Sequence, residues 1–267
     1  MIGICAVVKN EHLYLKEWLD YHFSIGVEHV WLFEDYGSVS HEGVISEYGD
    51  KVTLYSFSIT GAIEGNPMRQ CAVYDWFCEK FKDKIDWCAF IDVDEFIILQ
   101  EGETLKSLCD SLDIEPYCGF ILYWRLYDAN GHINRPCGSV MENYTHESDY
   151  RYIFLTDRSK PLTDKITGIC FPYKTVVNMH RTVRKWPVCH MPQNICDVLG
   201  KRVDMRMSEN TKTFKRAYLA HYFTKSWEDW KIRMQRGNIM ARNRTAETFF
   251  RINADMSHLK EKLISEL

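Results

Sequence analysis

The sequence lacks the patterns that mark several large classes of protein. No stretch approaches the roughly 18 consecutive apolar residues that a membrane-spanning helix needs, and no basic region precedes the short apolar run between Met1 and Lys9. We therefore expect a buried first strand there and not a secretory signal. The ten cysteines stand singly without a CxxC pair, which favours reduced thiols. A cytoplasmic protein is expected, and peripheral contact with the inner face of a membrane stays open.

Basic residues are scarce in the first half of the chain, and acidic residues are scarce in the second half. Residues 1–150 contain 10 Lys/Arg against 26 Asp/Glu, residues 151–267 contain 23 against 11, and the whole chain has a net charge of −4. The acidic half argues against nucleic-acid binding, which needs a basic surface, and indicates a cation site instead. The stretch 212–251 has 10 Lys/Arg against 3 Asp/Glu. Its roles stay open between steering phosphates, meeting an anionic membrane and forming an exposed helix face.

The first hundred residues alternate between strand-like and helix-like patterns. Strands are predicted over 2–8, 30–33, 52–57 and 87–91, and helices over 13–23, 44–48 and 69–81. This alternation predicts an α/β fold, a mainly parallel sheet with helices on both faces. Further on we predict a helix over 104–112, strands over 119–127 and 174–179, a polar excursion over 131–164, and helices over 226–243 and 253–267. Without repeats or low-complexity linkers, the economical division is a domain of residues 1–225 and a C-terminal helical extension, 226–267, packed on it.

A cluster of carboxylates follows the fourth predicted strand. Asp92 and Asp94, with Glu95 beside them, come between apolar residues on both sides. Two carboxylates at positions i and i+2 leave a strand on the same side and can bind one hard cation together. Because the carboxyl ends of strands are where open α/β sheets bind ligands, the sequence predicts a metal or ligand site here. Unpaired burial of these charges would cost several kcal/mol.

Five blocks, in order along nearly the whole chain, resemble glycosyltransferase family 92 and its relatives in the family 2 clan. They are Val7-Val8-Lys9-Asn10-Glu11; Glu17-Trp18 with Tyr21-His22 and Gly26-Val27; Asp35 and Ser38; Ile91-Asp92-Val93-Asp94-Glu95-Phe96; and His221-Tyr222 with Lys225-Ser226 and Arg236-Gly237. The resemblance implies a GT-A fold, a nucleotide-sugar donor, a bound Mn²⁺ (or Mg²⁺) and transfer with inversion. A UDP-sugar is expected, with galactose as the leading sugar because the family includes galactosyltransferases.

The resemblance also assigns residues to the donor and the metal. Asp94 is the first choice as metal ligand, with Asp92 and His221 as further ligands, although His221 is equally well explained as a core histidine. The residues that the resemblance places at the donor are Val8, Lys9, Asn10, Glu11, Asp35, Asp92, Lys225 and Arg236. Arg69 and Gln70 are added from their position at the start of a predicted helix after Pro67. Two of these have alternatives: Asp35 as a turn residue with a helix N-cap, and Arg69 as a solvated side chain at a helix start.

An inverting transfer needs a general base for the acceptor hydroxyl. Glu142 is the first choice and Asp149 the reserve, and the other acidic candidates of the polar excursion are Asp128, Glu147, Asp157 and Asp164. The acceptor is expected to be a glycan or a lipid-linked saccharide. The aromatic residues predicted to stack on it are Tyr123, Trp124 and Tyr127, whereas Trp227 and Trp230 are predicted to pack in a core.

Two other functions remain open. A nucleotidyltransferase on a similar sheet would show a glycine-rich phosphate loop after the first strand, and Lys9-Asn10-Glu11-His12 has no glycine. A catalytically inactive carbohydrate-binding protein could keep the fold without the chemistry. The intact Asp92 and Asp94 argue against that loss.

Overall fold

The computed structural model describes residues 1–66, 68–149, 173–181, 194–203, 213–236 and 244–267. The strands in these ranges are β1 (Ile2–Val8), β2 (His29–Glu34), β3 (Val52–Ser56), β4 (Trp87–Phe90), β5 (Glu95–Leu99), β6 (Gly119–Tyr127), β7 (Glu147–Ser148), β8 (Tyr173–Asn178), β9 (Ile195–Cys196) and β10 (Ala217–His221). The helices are α1 (His12–Ser24), α2 (Glu42–Ile45), α3 (Arg69–Phe81), α4 (Leu105–Ser111), α5 (Val140–Asn143), α6 (Trp227–Arg236), α7 (Ala246–Ile252) and α8 (Lys260–Ser265). Short 3-10 helices cover Ser46–Lys51, Phe57–Thr60 and Ala254–Leu259.

The chain forms two compact units. The first comprises Met1–Tyr123 and Tyr173–Leu219, and the second comprises Trp124–Pro172 and Ala220–Leu267. The expected boundary between residues 225 and 226 falls inside the second unit and stays a prediction.

The strands follow the order β3-β2-β1-β4-β8-β6-β10-β5. β1 pairs in parallel with β2 and β4, and β2 pairs in parallel with β3. β8 is antiparallel to both β4 and β6. Every residue of β1 is buried, as expected for a strand covered on both faces. The predicted α/β fold class is confirmed, and the sheet is mixed, with parallel pairing concentrated in the N-terminal strands.

Most predicted elements are present, and the differences have local causes. α3 has the predicted bounds, and α4 begins after Thr104, whose hydroxyl accepts a hydrogen bond from the backbone of Ser107. The single helix expected over 253–267 is wrong. Asn253 is buried and ends α7, and a 3-10 helix and α8 follow it. Part of the helix predicted over 226–243 lies outside the described residues.

The second unit has its own aromatic core. Trp227 and Trp230 on α6 are fully buried and pack against Phe249 and Phe250 on α7. Both tryptophans are therefore packing residues, as predicted. Asn253 closes this core, because its side chain accepts a hydrogen bond from the Ala129 backbone and donates one to the Phe249 carbonyl at 2.7 Å.

One block of the family resemblance connects α1 to β5. The Trp18 indole N–H donates to the Glu95 carbonyl at 2.7 Å, and the Tyr21 hydroxyl donates to the Ile97 carbonyl at 2.7 Å. His22 accepts from the Ile97 N–H at 3.3 Å and donates through Nδ1 to the Trp18 carbonyl at 2.8 Å. These bonds hold the strand that directly follows the carboxylates Asp92 and Asp94. The block therefore positions residues 92–95, which we call the acidic turn.

The buried His22 should make the stability of the protein depend on pH. Burial lowers the pKa of His22 to about 3, whereas an unfolded histidine titrates near 6.5. The unfolded state therefore binds the extra proton as the pH falls below 6.5, and stability contributed by the neutral ring is lost. We expect the free energy of unfolding to fall by about 2 kcal/mol from this group between pH 6.5 and pH 5.

Urea unfolding at a series of pH values checks this expectation. His22→Gln should lose the share of the dependence that comes from His22 in that window, while His258→Gln, which changes an exposed histidine, should keep it. Identical pH dependence in the wild-type protein and His22→Gln would contradict the assignment.

Candidate functional site

The parallel strands β1, β2 and β4 end on the same edge of the first unit. Val8, the last residue of β1, lies opposite Glu34, the last residue of β2. Lys9, Asp35 and Asp92 follow these strand ends. The structure thus brings three of the predicted donor and metal residues to one edge.

The loops after β1 and β2 are tied together by hydrogen bonds. The Asn10 carbonyl oxygen Oδ1 accepts from the Val39 N–H at 2.8 Å, and the Asn10 backbone has a left-handed φ of 51°. The Glu11 N–H donates to His41 Nε2 at 3.0 Å, while His41 Nδ1 lies 2.7 Å from Glu34 Oε1. Asn10 and Glu11 therefore fix the loop that carries Lys9. Burial lowers the pKa of His41. The sequence analysis did not single out this residue.

Asp35 and Arg69 form a buried ion pair. Arg69 Nε and Nη2 donate to the two carboxylate oxygens of Asp35, each at 2.9 Å. The Asp35 side chain is 0% exposed and that of Arg69 is 11% exposed. The alternative of a solvated Arg69 is therefore wrong. An N-cap role for Asp35 is also wrong, because the next helix, α2, begins after His41.

Lys9 lies beside this pair. Its Nζ donates to the Tyr36 carbonyl at 2.7 Å and is 3.8 Å from Asp35 Oδ2. The Lys9 side chain is 25% exposed, so it is the more accessible of the two cations near Asp35. Since the carboxylate of Asp35 is fully buried, its direct effect in this structure is on Arg69 and Lys9.

Asp92 is held by two side chains that come from different elements. Its Oδ1 accepts from Gln70 Nε2 on α3 at 3.0 Å, and its Oδ2 accepts from Lys174 Nζ on β8 at 2.7 Å. The Asp92 side chain is 36% exposed and that of Lys174 only 3%. Gln70, predicted at the donor, thus contacts the predicted metal residue. Lys174 was missed by the sequence reasoning.

Glu95 lies beneath the acidic turn. It is fully buried, and its Oε2 accepts from the Asp92 N–H at 2.7 Å. Among the described residues, nothing donates a hydrogen bond to its Oε1. Burial raises the pKa of Glu95 well above its usual range, and Lys174, with Nζ 3.7 Å from Oε2, acts in the opposite direction. Asp94 is also buried, at 5% exposure.

The oxygen atoms at the acidic turn suit a hard divalent cation that takes its remaining ligands from a bound phosphate. Asp92 and Asp94 offer carboxylate oxygens, and the buried Oε1 of Glu95 has no donor among the described residues. Within that part of the chain, no three His, Cys, Asp or Glu side chains form a ready-made cation site. Mg²⁺-type sites are commonly built from one or two carboxylates together with substrate phosphates. The residues present therefore fit Mn²⁺ or Mg²⁺ bound with a phosphate ligand.

The remaining donor and metal candidates belong to the second unit. His221 is buried, and its ring centroid is 4.6 Å from that of Trp124 and 5.3 Å from that of Phe223. This is the packing expected of a core histidine, and its role as a ligand stays a prediction. Lys225 is buried with a left-handed φ of 52°. Arg236 is half-buried at the end of α6.

The candidate bases of the second unit differ in their surroundings. Glu142 is exposed on α5, where its N–H donates to the Ser139 hydroxyl at 3.1 Å. Asp149 is half-buried, and Glu147 pairs with Arg125. Asp157 and Asp164 lie outside the described residues.

Asp128 is buried and forms a pair with His146. The sequence analysis named Asp128 as a candidate base but did not single out His146. Its Oδ2 is 2.6 Å from His146 Nδ1, and the His146 side chain is 60% exposed. This hydrogen bond raises the pKa of His146, and burial raises that of Asp128. A buried carboxylate that orients an exposed imidazole is an arrangement used for general bases.

The aromatic residues predicted to stack on a sugar are largely covered. Tyr123 and Trp124 are buried, at 2% and 9% exposure. Tyr127 is half-buried and stacks on Tyr222, with ring centroids 5.1 Å apart. Little ring surface is left for a sugar on the first two, so burial removes the basis of that prediction for them.

The described cysteines are free thiols. Cys170 and Cys189 lie outside the described residues, and the others are Cys5, Cys71, Cys78, Cys88, Cys109, Cys118, Cys137 and Cys196. No helix in the described ranges is long and apolar enough to cross a membrane.

These features define an α/β protein with a cluster of carboxylates at the carboxyl edge of its parallel strands. Residues 68–259, well over half of the chain, match the sequence profile of glycosyltransferase family 92. The chain belongs to glycosyltransferase family 92, and the family predicted from the five blocks is confirmed.

Individual relatives share short regions with the chain. It is 24% identical over 146 residues to a glycosyltransferase family 92 protein of Oryza sativa subsp. japonica, covering 53% of this chain and 24% of that protein. It is 28% identical over 105 residues to a galactan beta-1,4-galactosyltransferase of Arabidopsis thaliana, covering 38% of this chain and 21% of that protein. The matches therefore span about a quarter or less of the length of these relatives.

Among solved structures, the chain is similar to glucosyl-3-phosphoglycerate synthase from Mycobacterium tuberculosis in complex with Mn²⁺, UDP and phosphoglyceric acid. The identity is 12%, the TM-score is 0.38, and the match covers 76% of this chain and 70% of that chain.

Proposed function

We propose that the protein is an inverting glycosyltransferase that moves a sugar from a UDP-linked donor to a hydroxyl of a glycan or glycolipid. The observation that carries the proposal is the carboxyl edge of the first unit. There, the cations Lys9 and Arg69 and the carboxylates Asp92 and Asp94 follow or adjoin parallel strand ends. Galactose is the leading sugar, since one relative is a galactosyltransferase by name.

We propose that the chain's own residues bind the donor in two groups. Lys9 is accessible enough to pair with a phosphate, and Arg69 supplies a second cation whose fork is fixed by Asp35. Asp35 is then a positioning residue for Arg69, because its carboxylate is fully buried. Asn10 and Glu11 hold the loop of Lys9 in place.

Asp94 and Asp92 are the residues that would hold Mn²⁺ or Mg²⁺. The cation would neutralise the charge that develops on the departing nucleoside diphosphate. Glu95 supports the turn that presents both carboxylates, since it accepts the backbone N–H of Asp92. The roles of His221, Lys225 and Arg236 at the donor remain predictions.

The acceptor hydroxyl must lose a proton as its oxygen attacks the anomeric carbon. Glu142 is the proposed base because it is an exposed carboxylate, and Asp149 is kept in reserve. His146 is the second candidate, because Asp128 orients its exposed ring at 2.6 Å.

We expect Glu142→Gln to transfer sugar about 10² to 10⁴ times more slowly than the wild-type protein while it binds donor and Mn²⁺ normally. The change removes a proton acceptor and keeps the shape of the side chain. Single-turnover transfer and donor titration measure the two effects separately. If Glu142→Gln is unimpaired, His146→Gln and Asp149→Asn tested in parallel show which of the two takes the role.

A panel of nucleotide sugars tests the proposed function as a whole. Each is assayed for donor hydrolysis and for thermal stabilisation, with Mn²⁺ and with EDTA. A donor at 100 times its Kd should add about 2.7 kcal/mol of stability. Failure of every nucleotide sugar to bind or react, with or without Mn²⁺, would refute the proposal. Stabilisation without turnover would identify an inactive binding protein, and pyrophosphate exchange would identify a nucleotidyltransferase.

A further inference from the structure

Lys174 reaches the acidic turn from a neighbouring strand. β8 runs antiparallel to β4, with Thr175 opposite Phe90. Lys174 is therefore at the carboxyl end of β4, where the chain continues into Asp92. Its side chain is 3% exposed, and lysine is almost never buried unless its charge is paired. The ammonium group is thus a fixed part of the site.

Both carboxylate oxygens of Asp92 are engaged. Lys174 Nζ lies 2.7 Å from Oδ2, and Gln70 Nε2 donates to Oδ1 at 3.0 Å. A divalent cation that binds Asp92 therefore shares a carboxylate oxygen with one of these hydrogen-bond donors. An ammonium and a divalent cation on the same carboxylate also repel each other, and burial weakens the screening of that repulsion.

Glu95 is a second acceptor within reach of the ammonium. Its Oε2 is 3.7 Å from Lys174 Nζ, and its fully buried Oε1 accepts no hydrogen bond from the described residues. A buried carboxylate oxygen without a donor is costly. Lys174 can therefore give up part of its contact with Asp92 and move toward an oxygen of Glu95.

Building on the function proposed above, we propose that Lys174 is the resident counter-ion of Asp92 and makes divalent-cation binding depend on the donor. Without donor, the ammonium neutralises Asp92 and opposes a cation. The oxygens of a bound nucleoside diphosphate would supply ligands for the cation and would accept hydrogen bonds from the Lys174 ammonium, which would offset the repulsion. Lys174 is accordingly a positioning residue that couples the two ligands.

Mn²⁺ affinity in the absence of turnover tests this coupling. Electron paramagnetic resonance of free Mn²⁺ gives the Kd for the whole chain, with and without saturating UDP. Lys174→Met and Lys174→Gln remove the charge, and the Gln side chain can still donate to Asp92. Both should bind Mn²⁺ alone about tenfold more tightly than the wild-type protein. The factor by which UDP tightens Mn²⁺ binding should shrink equally.

Two controls separate this effect from a general change of charge. Lys106→Met removes a lysine that is 75% exposed in the same unit and should leave both Kd values unchanged. Lys174→Arg keeps the charge and should retain weak binding of Mn²⁺ alone. Circular dichroism checks that each variant is folded, and the Gln variant serves if the Met variant is not.

The outcomes distinguish the two proposals. If the folded neutral variants bind Mn²⁺ alone as weakly as the wild-type protein and gain as much from UDP, the role of Lys174 is refuted and the proposed function stands. If the wild-type protein binds neither Mn²⁺ nor UDP, separately or together, the proposed function fails and the coupling fails with it.

Discussion

Asp94→Asn should abolish sugar transfer, with kcat/KM reduced at least about 10³-fold. The change removes one ligand charge at almost constant volume, and a metal ion supplies several kcal/mol of charge stabilisation at about 1.4 kcal/mol per tenfold in rate. Asp94 is buried beside Asp92 and Glu95, so a neutral side chain there relieves like-charge repulsion. The variant should therefore fold as well as the wild-type protein.

Initial rates over a range of Mn²⁺ concentrations measure this effect, and thermal unfolding checks the fold. Asp110→Asn is a matched control, since Asp110 pairs with Lys106 on an exposed face of α4. It should keep wild-type activity. Full turnover and unchanged Mn²⁺ affinity in Asp94→Asn would remove Asp94 from the metal site.

Asp35→Ala should destabilise the protein by about 3–5 kcal/mol. Removal of one partner from a buried ion pair leaves an uncompensated charge, and here Arg69 would lose both of its bonds to the carboxylate. Donor affinity should fall as well, because the guanidinium loses the group that orients it. Urea unfolding measures the first effect and UDP titration the second.

The double variant Asp35→Leu with Arg69→Met distinguishes the cost of an unpaired buried charge from the loss of the ion pair itself. Replacement of both partners by apolar side chains leaves no buried charge, so the double variant should be more stable than Asp35→Ala and still bind UDP poorly. Lys106→Ala should leave the free energy of unfolding unchanged within error. If Asp35→Ala is as stable as the wild-type protein, the pair makes no net contribution and its energetic role is refuted.

The periodicity and polarity of short stretches of sequence correctly predicted individual helices and the acidic turn. α3 occupies the predicted residues 69–81, because its apolar positions recur with helical period. The acidic turn was found because it interrupts a long apolar run. β5 was missed because its apolar residues were taken only as the flank of that turn. It starts directly after that turn, and its sheet neighbour, β10, begins more than a hundred residues later.

The site was predicted as a set of strand ends, and its pairings were not. Asp35 and Arg69 are 34 positions apart in sequence, and Lys174 is 82 positions from Asp92. Neither separation leaves a periodic signal. Lys174 appears in the sequence as a single lysine at the start of an apolar strand, and only the antiparallel register of β8 places it beside the carboxylate. The signals available for Asp35 and Asp92 were strand ends and family resemblance, and neither of these specifies partners.

A crystal structure of the protein with Mn²⁺ and UDP would show whether Asp94 binds the cation at the ends of the parallel strands. Anomalous scattering locates Mn²⁺ independently of the refined coordinates. We expect a Mn²⁺ peak at the Asp94 carboxylate, with the diphosphate as a further ligand and Lys9 beside it. Mn²⁺ on other residues, or UDP bound away from the ends of β1, β2 and β4, would contradict it.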